Sequence, residues 1–238
     1  LSINLAKTHY VIFRTKNRPL PVVSTITING NVINRVVSTR FLGVIIHENL
    51  NWSEHINFIR SKMAKGIGIL CRGRRVLKSS TLRSLYFSFI YPYMTYCVEV
   101  WGSSPATHIN SIVKIQKKAA RIITFSPYRA ASKPLFLSLN LLTLPEIYQS
   151  SLLSFMHKYH FNKLPSIFNS LFLLNRQVHN FNTRHNNSHQ YYISNFRLQL
   201  SHNSIKAKGP FFWNQLPSHI VTPSSYSFKS NLKKFLKS

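Results

Sequence analysis

The chain has 238 residues and sets 31 Lys and Arg against four acids, Glu48, Glu54, Glu99 and Glu146, with no aspartate, for a net charge of +27. Clustered cations in such excess attract phosphate backbones through counterion release, so nucleic acid is the expected partner. The lack of Asp removes the usual ligands of a two-metal phosphoryl-transfer site, and four scattered Glu are a poor substitute, so these residues alone are not expected to cut or copy nucleic acid.

With 44% hydrophobic and 13% aromatic residues the chain has the material for a packed core, unlike a disordered basic tail. Its charge self-repulsion lowers stability in the absence of a polyanion. Cys71 and Cys97 are the only cysteines and form no C-x-x-C pair, which argues against a disulfide framework or a thiolate zinc site and predicts buried thiols. The apolar stretch from Leu85 to Val98 is shorter than the ~20 residues a membrane span requires and is broken by Pro92, so it reads as a core helix and no membrane partner is expected. No charged segment followed by an apolar core opens the chain at Leu1; the start reads as truncated, and the expected location is nuclear or cytoplasmic, not secreted.

The first fifty residues read as short strands. Tyr10 to Phe13 is a β-branched and aromatic run, Thr25 to Ile28 alternates before an Asn29-Gly30 hairpin turn into Val32-Ile33, and Arg40 to Ile46 reads as a further strand containing Gly43. After Trp52 the period changes to that of a helix. Ile56, Ile59, Met63, Ile67 and Leu70 share one face of a helix starting near Ser53. Ser79-Ser80-Thr81 offers capping oxygens to a second helix, with Leu82, Leu85, Tyr86, Phe89 and Ile90 as its apolar face until Pro92. A third helix runs from about Thr107 to Phe125, and a fourth starts at a capping box, Thr143-Leu144-Pro145-Glu146. Beyond about Asn175 regular periodicity largely disappears among Asn, Ser and His, until Phe228 to Leu236 forms a short basic amphipathic helix.

Two basic clusters stand out. Lys114, Lys117, Lys118 and Arg121 lie at i, i+3, i+4 and i+7 of the third helix, opposite Ile109, Ile112, Ala119 and Ile123. They are read either as a phosphate-tracking ridge or as an ordinary solvated face. Arg72, Arg74 and Arg75 cluster where the first helix ends, where cations also favour the helix dipole. The histidines, among them His157, His160, His179, His185, His189 and His202, lack cysteine partners and metal-ligand spacing, so no metal site is expected. Gly66-x-Gly68 lies within a helical pattern rather than after a strand, which excludes a phosphate loop. Trp101 and Trp213 stand next to Gly and Pro and are expected to pack rather than to stack on bases.

The order of these signals resembles the C-terminal part of a non-LTR (LINE-type) retrotransposon reverse transcriptase of the jockey-like and chicken-repeat-like group. Leu1-Ser2-Ile3-Asn4-Leu5-Ala6-Lys7-Thr8 with Val11-Ile12-Phe13 resembles polymerase motif D, and Phe41-Leu42-Gly43-Val44 with Leu50-Asn51-Trp52 and His55-Ile56 resembles motif E. Tyr91-Pro92-Tyr93, Val100-Trp101-Gly102, Gln116-Lys117-Lys118-Ala119, Thr183-Arg184-His185 and Gly209-Pro210 with Trp213-Asn214 and Leu216-Pro217 follow in the same order, before the Phe228-Lys229 and Leu232-Lys233 ending.

The resemblance implies an α+β piece: a small antiparallel palm remnant over 1–50, a helical thumb-like region over 51–128, a helical connection over 129–176 and a basic, partly irregular extension over 177–238. It implies that Lys7 is the motif D lysine, a general acid toward leaving pyrophosphate, although a surface lysine at a strand entry reads equally well. Phe41, Leu42 and Gly43 would be the primer-grip turn, with a plain core strand as the alternative, the two basic clusters would track template and primer, and Arg184 would either contact RNA or lie in a disordered polar loop.

The family's metal-binding aspartates would lie upstream. The piece itself would then hold no cofactor, and Mg would belong to the intact enzyme. Its partners would be template RNA, primer DNA and the upstream fingers and palm of the same polyprotein. Two alternatives stand beside this reading: a free-standing basic RNA- or DNA-binding protein derived from a transposon remnant, and a pseudogene product without function.

Overall fold

The computed structural model describes residues 4–21, 25–178 and 190–237. They form two compact units, residues 1–61 and 62–238, and helix makes up 54% of the chain.

The first unit holds six short strands: β1 (His9–Tyr10), β2 (Thr27–Ile28), β3 (Asn31–Val32), β4 (Asn34–Arg35), β5 (Ser38–Phe41) and β6 (Val44–His47). They pair two by two. Hairpin β2–β3 turns at Asn29 and Gly30, both at positive φ, as the Asn-Gly pair requires of a two-residue loop. The expected single strand over Arg40–Ile46 is instead a second hairpin, β5–β6, turning at Leu42 (φ 45°) and Gly43 (φ 85°). Nothing in Phe-Leu-Gly-Val announces that turn except the glycine, because Leu is seldom held in the left-handed region.

The expectation of an antiparallel remnant is corrected at its start. Of the run from Tyr10 to Phe13 only Tyr10 is in a strand, β1, which pairs with β4 in parallel, with His9 opposite Asn34 and Tyr10 opposite Arg35. The chain then leaves the ladder and is tied down by other bonds. Arg14 N–H donates to the Glu48 carbonyl at 3.0 Å and Asn49 Nδ2 donates to the Arg14 carbonyl at 3.0 Å.

Helix α1 (Ser53–Gly73) follows, with Glu54 in its first turn, where a negative charge suits the helix dipole. All five residues of its expected apolar face, from Ile56 to Leu70, are buried. Cys71 is exposed, contrary to the expected buried thiol. It sits 100° round the helix from Leu70, off the buried stripe.

The second unit continues with α2 (Ser79–Phe89), α3 (Tyr91–Thr95), α4 (Val98–Trp101), α5 (Ala106–Ile123), α6 (Ser132–Ser138), α7 (Leu144–His160), α8 (Asn175–Val178), α9 (Gln199–His202), α10 (Ile205–Trp213) and α11 (Ser225–Phe235). Pro92 ends α2 by starting α3, where its missing N–H costs nothing. Of the α2 face, Leu82, Tyr86 and Ile90 are buried, while Phe89 is exposed.

Helix α7 is central, packing against α3, α4, α5, α10 and α11. Its first turn is held by the capping box: the Glu146 carboxylate accepts from Thr143 N–H at 2.7 Å, and the Thr143 side chain accepts in return.

Against the far half of α7 lies a second core of Leu153, Met156, Phe172, Tyr191, Trp213, Phe228 and Leu232. The Asn214 amide clamps this core, accepting from Tyr191 N–H at 2.9 Å and donating to its carbonyl at 2.7 Å. The tail beyond Asn175 is therefore more regular than its composition indicates. Helices of one or two turns contain too few residues to register a 3.6-residue period.

Candidate nucleic-acid interface

Helix α5 separates its residues as the spacing requires. Ile109, Ile112, Ala119 and Ile123 are buried, Lys114 and Lys118 are exposed, and Lys117 and Arg121 are half-buried at the edge. Arg121 is partly engaged, its Nε donating to the Ala130 carbonyl at 3.0 Å, which ties the loop after α5 to the helix. No acid lies on this helix, so its cations meet no intrahelical counterion.

The second cluster straddles the end of α1 at Gly73, with Arg72 in the last turn and Arg75 beyond it exposed and Arg74 half-buried. The Arg74 guanidinium lies 5.5 Å from the centre of the Phe125 ring. Phe125 follows α5 directly, four residues after Arg121. Arg74 is thus brought from some forty residues away to the segment just past the C-terminal end of α5, where a cation–π contact orients it.

In the first unit, Phe41, Leu42 and Gly43 form the tip of the β5–β6 hairpin. Phe41 is 61% and Leu42 74% exposed, so two large apolar side chains stand at a turn facing solvent. The Arg40 guanidinium lies 5.0 Å from the centre of the Phe58 ring. Lys7 is exposed in a single 3-10 turn, Leu5–Lys7, just before β1. Arg184 lies outside the described residues.

Each of the four acids has a structural task. Glu48 is buried between Arg14 and Arg35: Arg14 donates Nε and Nη2 to one carboxylate oxygen at 3.1 and 2.7 Å, and Arg35 Nη2 donates to the other. Burial alone would raise its pKa, but Arg14, Arg35 and His47 hold the carboxyl below the ordinary range. Glu54 opens α1, Glu99 accepts from the Ser151 hydroxyl, and Glu146 completes the α7 capping box. Among the described residues no group of three or more His, Cys, Asp or Glu is placed to hold a metal ion.

The histidines of α7 have packing roles. His157 is buried, its Nε2 donates to the Thr222 carbonyl at 2.7 Å, and its ring stacks on Phe228 with centroids 4.3 Å apart. His160 Nδ1 lies 3.0 Å from the Tyr191 hydroxyl. Trp101 and Trp213 are both buried, and the Trp101 indole N–H donates to the Tyr96 carbonyl at 2.9 Å. Neither offers a ring face to a base.

Two features escaped the reading of the sequence. Gln116, inside the stretch that resembles the family, is fully buried rather than part of a basic face; its position among Ile109, Ile112 and Ile123 at helical spacing was the available signal. The other is a set of cations, Arg83, Lys158, Lys229 and Lys233, that only the fold brings near one another. The spacing of Lys229 and Lys233 was visible, their neighbours were not.

Among the described residues no helix is long and apolar enough to cross a membrane. No protein-family model matches the chain, and no solved structure matches it. Curated relatives do. The chain is 30% identical over 132 residues, 54% of its length, to the RNA-directed DNA polymerase from mobile element jockey of Drosophila funebris. It is 31% identical over 128 residues, 52% of its length, to the probable RNA-directed DNA polymerase from transposon X-element of Drosophila melanogaster. A third relative, the probable RNA-directed DNA polymerase from transposon BS of the same fly, is 24% identical over 149 residues, 61% of the chain. The matched segments span 14% to 16% of these relatives' own length. Over about half of its length, the chain is thus similar to a short part of the RNA-directed DNA polymerases of non-LTR retrotransposons.

Proposed function

We propose that this chain is the nucleic-acid-gripping C-terminal part of an RNA-directed DNA polymerase of a non-LTR retrotransposon. The observation that carries the reading is the acid-free cationic face of α5, formed by Lys114, Lys117, Lys118 and Arg121, with Arg74 placed over Phe125 just beyond the helix end. A helix with one packed face and one acid-free cationic face follows a phosphate backbone without reading bases. The similarity to polymerases that use an RNA template supplies the class of partner.

In the intact enzyme, residues 51–128 act as a thumb along template RNA and primer DNA, and the exposed tip Phe41-Leu42-Gly43 bears on the primer end. The turn suits that task, because a tight loop with glycine lets backbone come close to a ligand. Lys7 is the candidate proton donor to pyrophosphate. The chain contains no aspartate, so nucleotidyl transfer and its Mg depend on carboxylates outside it. By itself it binds nucleic acid and does not polymerise.

The test is binding of the 238-residue chain to a blunt RNA–DNA heteroduplex at several salt concentrations. About six phosphate contacts give a loss of roughly 10³ in affinity between about 50 and 200 mM salt. Lys114→Gln with Lys118→Gln lowers the slope of log affinity against log salt by about 1.8, at ~0.9 per contact. Salt-independent binding overturns the grip, and primer extension by the isolated chain overturns the claim of inactivity.

A further inference from the structure

Away from the α5 ridge, the second unit contains a cleft of about 470 Å³ walled by α2, α3, α4, the segment 140–142, α7 and α11, within the size range of ligand sites. We propose that this cleft is a second nucleic-acid site, one that holds the phosphate and base of an unpaired nucleotide. This rests on the reading of the chain as a nucleic-acid grip and adds to it the form of the strand, single rather than duplex.

The walls carry the two chemistries such a nucleotide needs. Lys158 of α7 and Lys229 and Lys233 of α11 line the cleft, and among the described residues no carboxylate is in ion-pair contact with any of the three. Ser150, a further wall residue on α7, carries a hydroxyl that can donate to a phosphate oxygen, while the Ser154 hydroxyl beside it is spent on the Ser150 carbonyl at 2.7 Å. Tyr91 and Phe155 add aromatic surface, the sequence-tolerant platform for an unpaired base.

The one acid on the wall, Glu99, is occupied by the Ser151 hydroxyl. One carboxylate against three ammonium groups leaves the cleft cationic.

More positive charge stands at its rim. Arg83 is fixed by two contacts: its guanidinium lies 4.9 Å from the centre of the Phe87 ring, and its Nε donates to the Leu139 carbonyl at 3.1 Å. Lys237 is held by Asn140, a wall residue whose Oδ1 accepts from its Nζ. Burial and the charge of Arg83 push the Lys233 ammonium below its ordinary range. Burial and Lys233 do the same to Lys237, although Glu146 acts in the opposite direction. Cations drawn from positions 83, 158, 229, 233 and 237 repel one another, and a bound phosphate relieves that repulsion. An apolar ligand would leave it in place, and a duplex backbone would leave Tyr91 and Phe155 unused.

The experiment compares the 238-residue chain on two fluorescein-labelled probes, a blunt RNA–DNA heteroduplex and the same heteroduplex with a single-stranded RNA overhang. The wild-type chain binds the overhang probe more tightly. Lys229→Gln with Lys233→Gln abolishes that preference and lowers the salt slope on the overhang probe by about 1.4, at ~0.7 per single-strand phosphate, while leaving the blunt probe unchanged. Lys158→Gln, at an exposed position whose loss does not disturb the core, shifts the preference in the same direction. Lys206→Gln, exposed on α10 and away from the cleft wall, leaves it intact. The proposal is overturned if the wild type shows no preference, if the double variant weakens both probes equally, or if Lys206→Gln has the same effect. Wild-type binding to the blunt probe with a steep salt slope then keeps the grip reading in place; failure to bind either probe removes both.

Discussion

Gln116 of α5 donates from Nε2 to the Tyr86 hydroxyl of α2 at 3.1 Å, and both side chains are fully buried. The same amide also donates to the Leu142 carbonyl at 2.7 Å and accepts from Leu144 N–H at 3.1 Å, at the start of α7. One glutamine therefore joins three helices in the core of the second unit. The Tyr86 hydroxyl and the Leu144 N–H are removed from water, so those two bonds are worth more as avoided penalties than as gained contacts.

Replacing Gln116 with Leu keeps the volume and strands two buried polar groups together with the half-buried Leu142 carbonyl. The expected loss is about 2 kcal/mol or more, at roughly 1–3 per buried unsatisfied group. Tyr86→Phe alone costs about 1 kcal/mol, and in the Gln116→Leu background it costs nothing or is favourable, since the hydroxyl has lost its donor. Urea unfolding of the two single variants and the double variant measures the coupling; additive effects would mean that the two side chains act independently.

Acid weakens the fold in two steps. Burial lowers the pKa of His157, opposed by its bond to Thr222 and assisted by Lys163 and Lys229, and burial with Arg40 lowers that of His55. Both rings stay neutral in the fold when the unfolded chain has begun to bind protons near the ordinary value of 6.5. Stability is therefore complete above that value and falls as pH drops below it. The first unit reports the reason locally, since His55 Nδ1 accepts from Ile45 N–H at 3.3 Å and cannot do so once protonated.

Glu48, with its pKa depressed, contributes stability above the ordinary carboxylate value of 4.5 and loses it as pH falls through the lower folded value. Denaturant midpoints taken from pH 8 to pH 3 should show both declines. His157→Gln flattens the upper one, and an unchanged upper decline would exclude His157 as a source.

Gly102 marks a close approach. A Cβ placed there would lie 2.4 Å from Tyr148 Cδ2 and 2.5 Å from the Val98 carbonyl oxygen. The Tyr148 ring is buried, with its phenol pushed up to about 12 by that burial. Gly102→Ala is expected to destabilise the second unit by about 1–3 kcal/mol through overpacking, read as a lower melting temperature.

Leu42 occupies the left-handed region at an exposed hairpin tip, where Asn is the better residue. Leu42→Asn should stabilise the first unit by about 1 kcal/mol by relieving that strain. Placed in an intact polymerase, the same change weakens primer engagement if the tip is the primer grip. Opposite signs for stability and extension would separate a functional leucine from a merely tolerated one, and extension at the wild-type level would remove the tip from the interface.

Local order was written in the sequence wherever a pattern could repeat. The 18-residue α5 shows its buried and basic faces through five turns, Thr143-Leu144-Pro145-Glu146 caps α7 as it reads, and Asn29-Gly30 turns as that pair must. Composition was as legible: a net charge of +27 suits a polyanionic partner.

What depended on residues far apart in the chain was decided only by the tertiary structure. The parallel pairing of β1 with β4, the place of Gln116 between α2 and α7, Arg74 over Phe125 and the cations around one cleft all join positions with no common period. Periodicity reports which face of an element is apolar. Which faces meet is settled by packing, when closing the loops between them is offset by the surface they bury together.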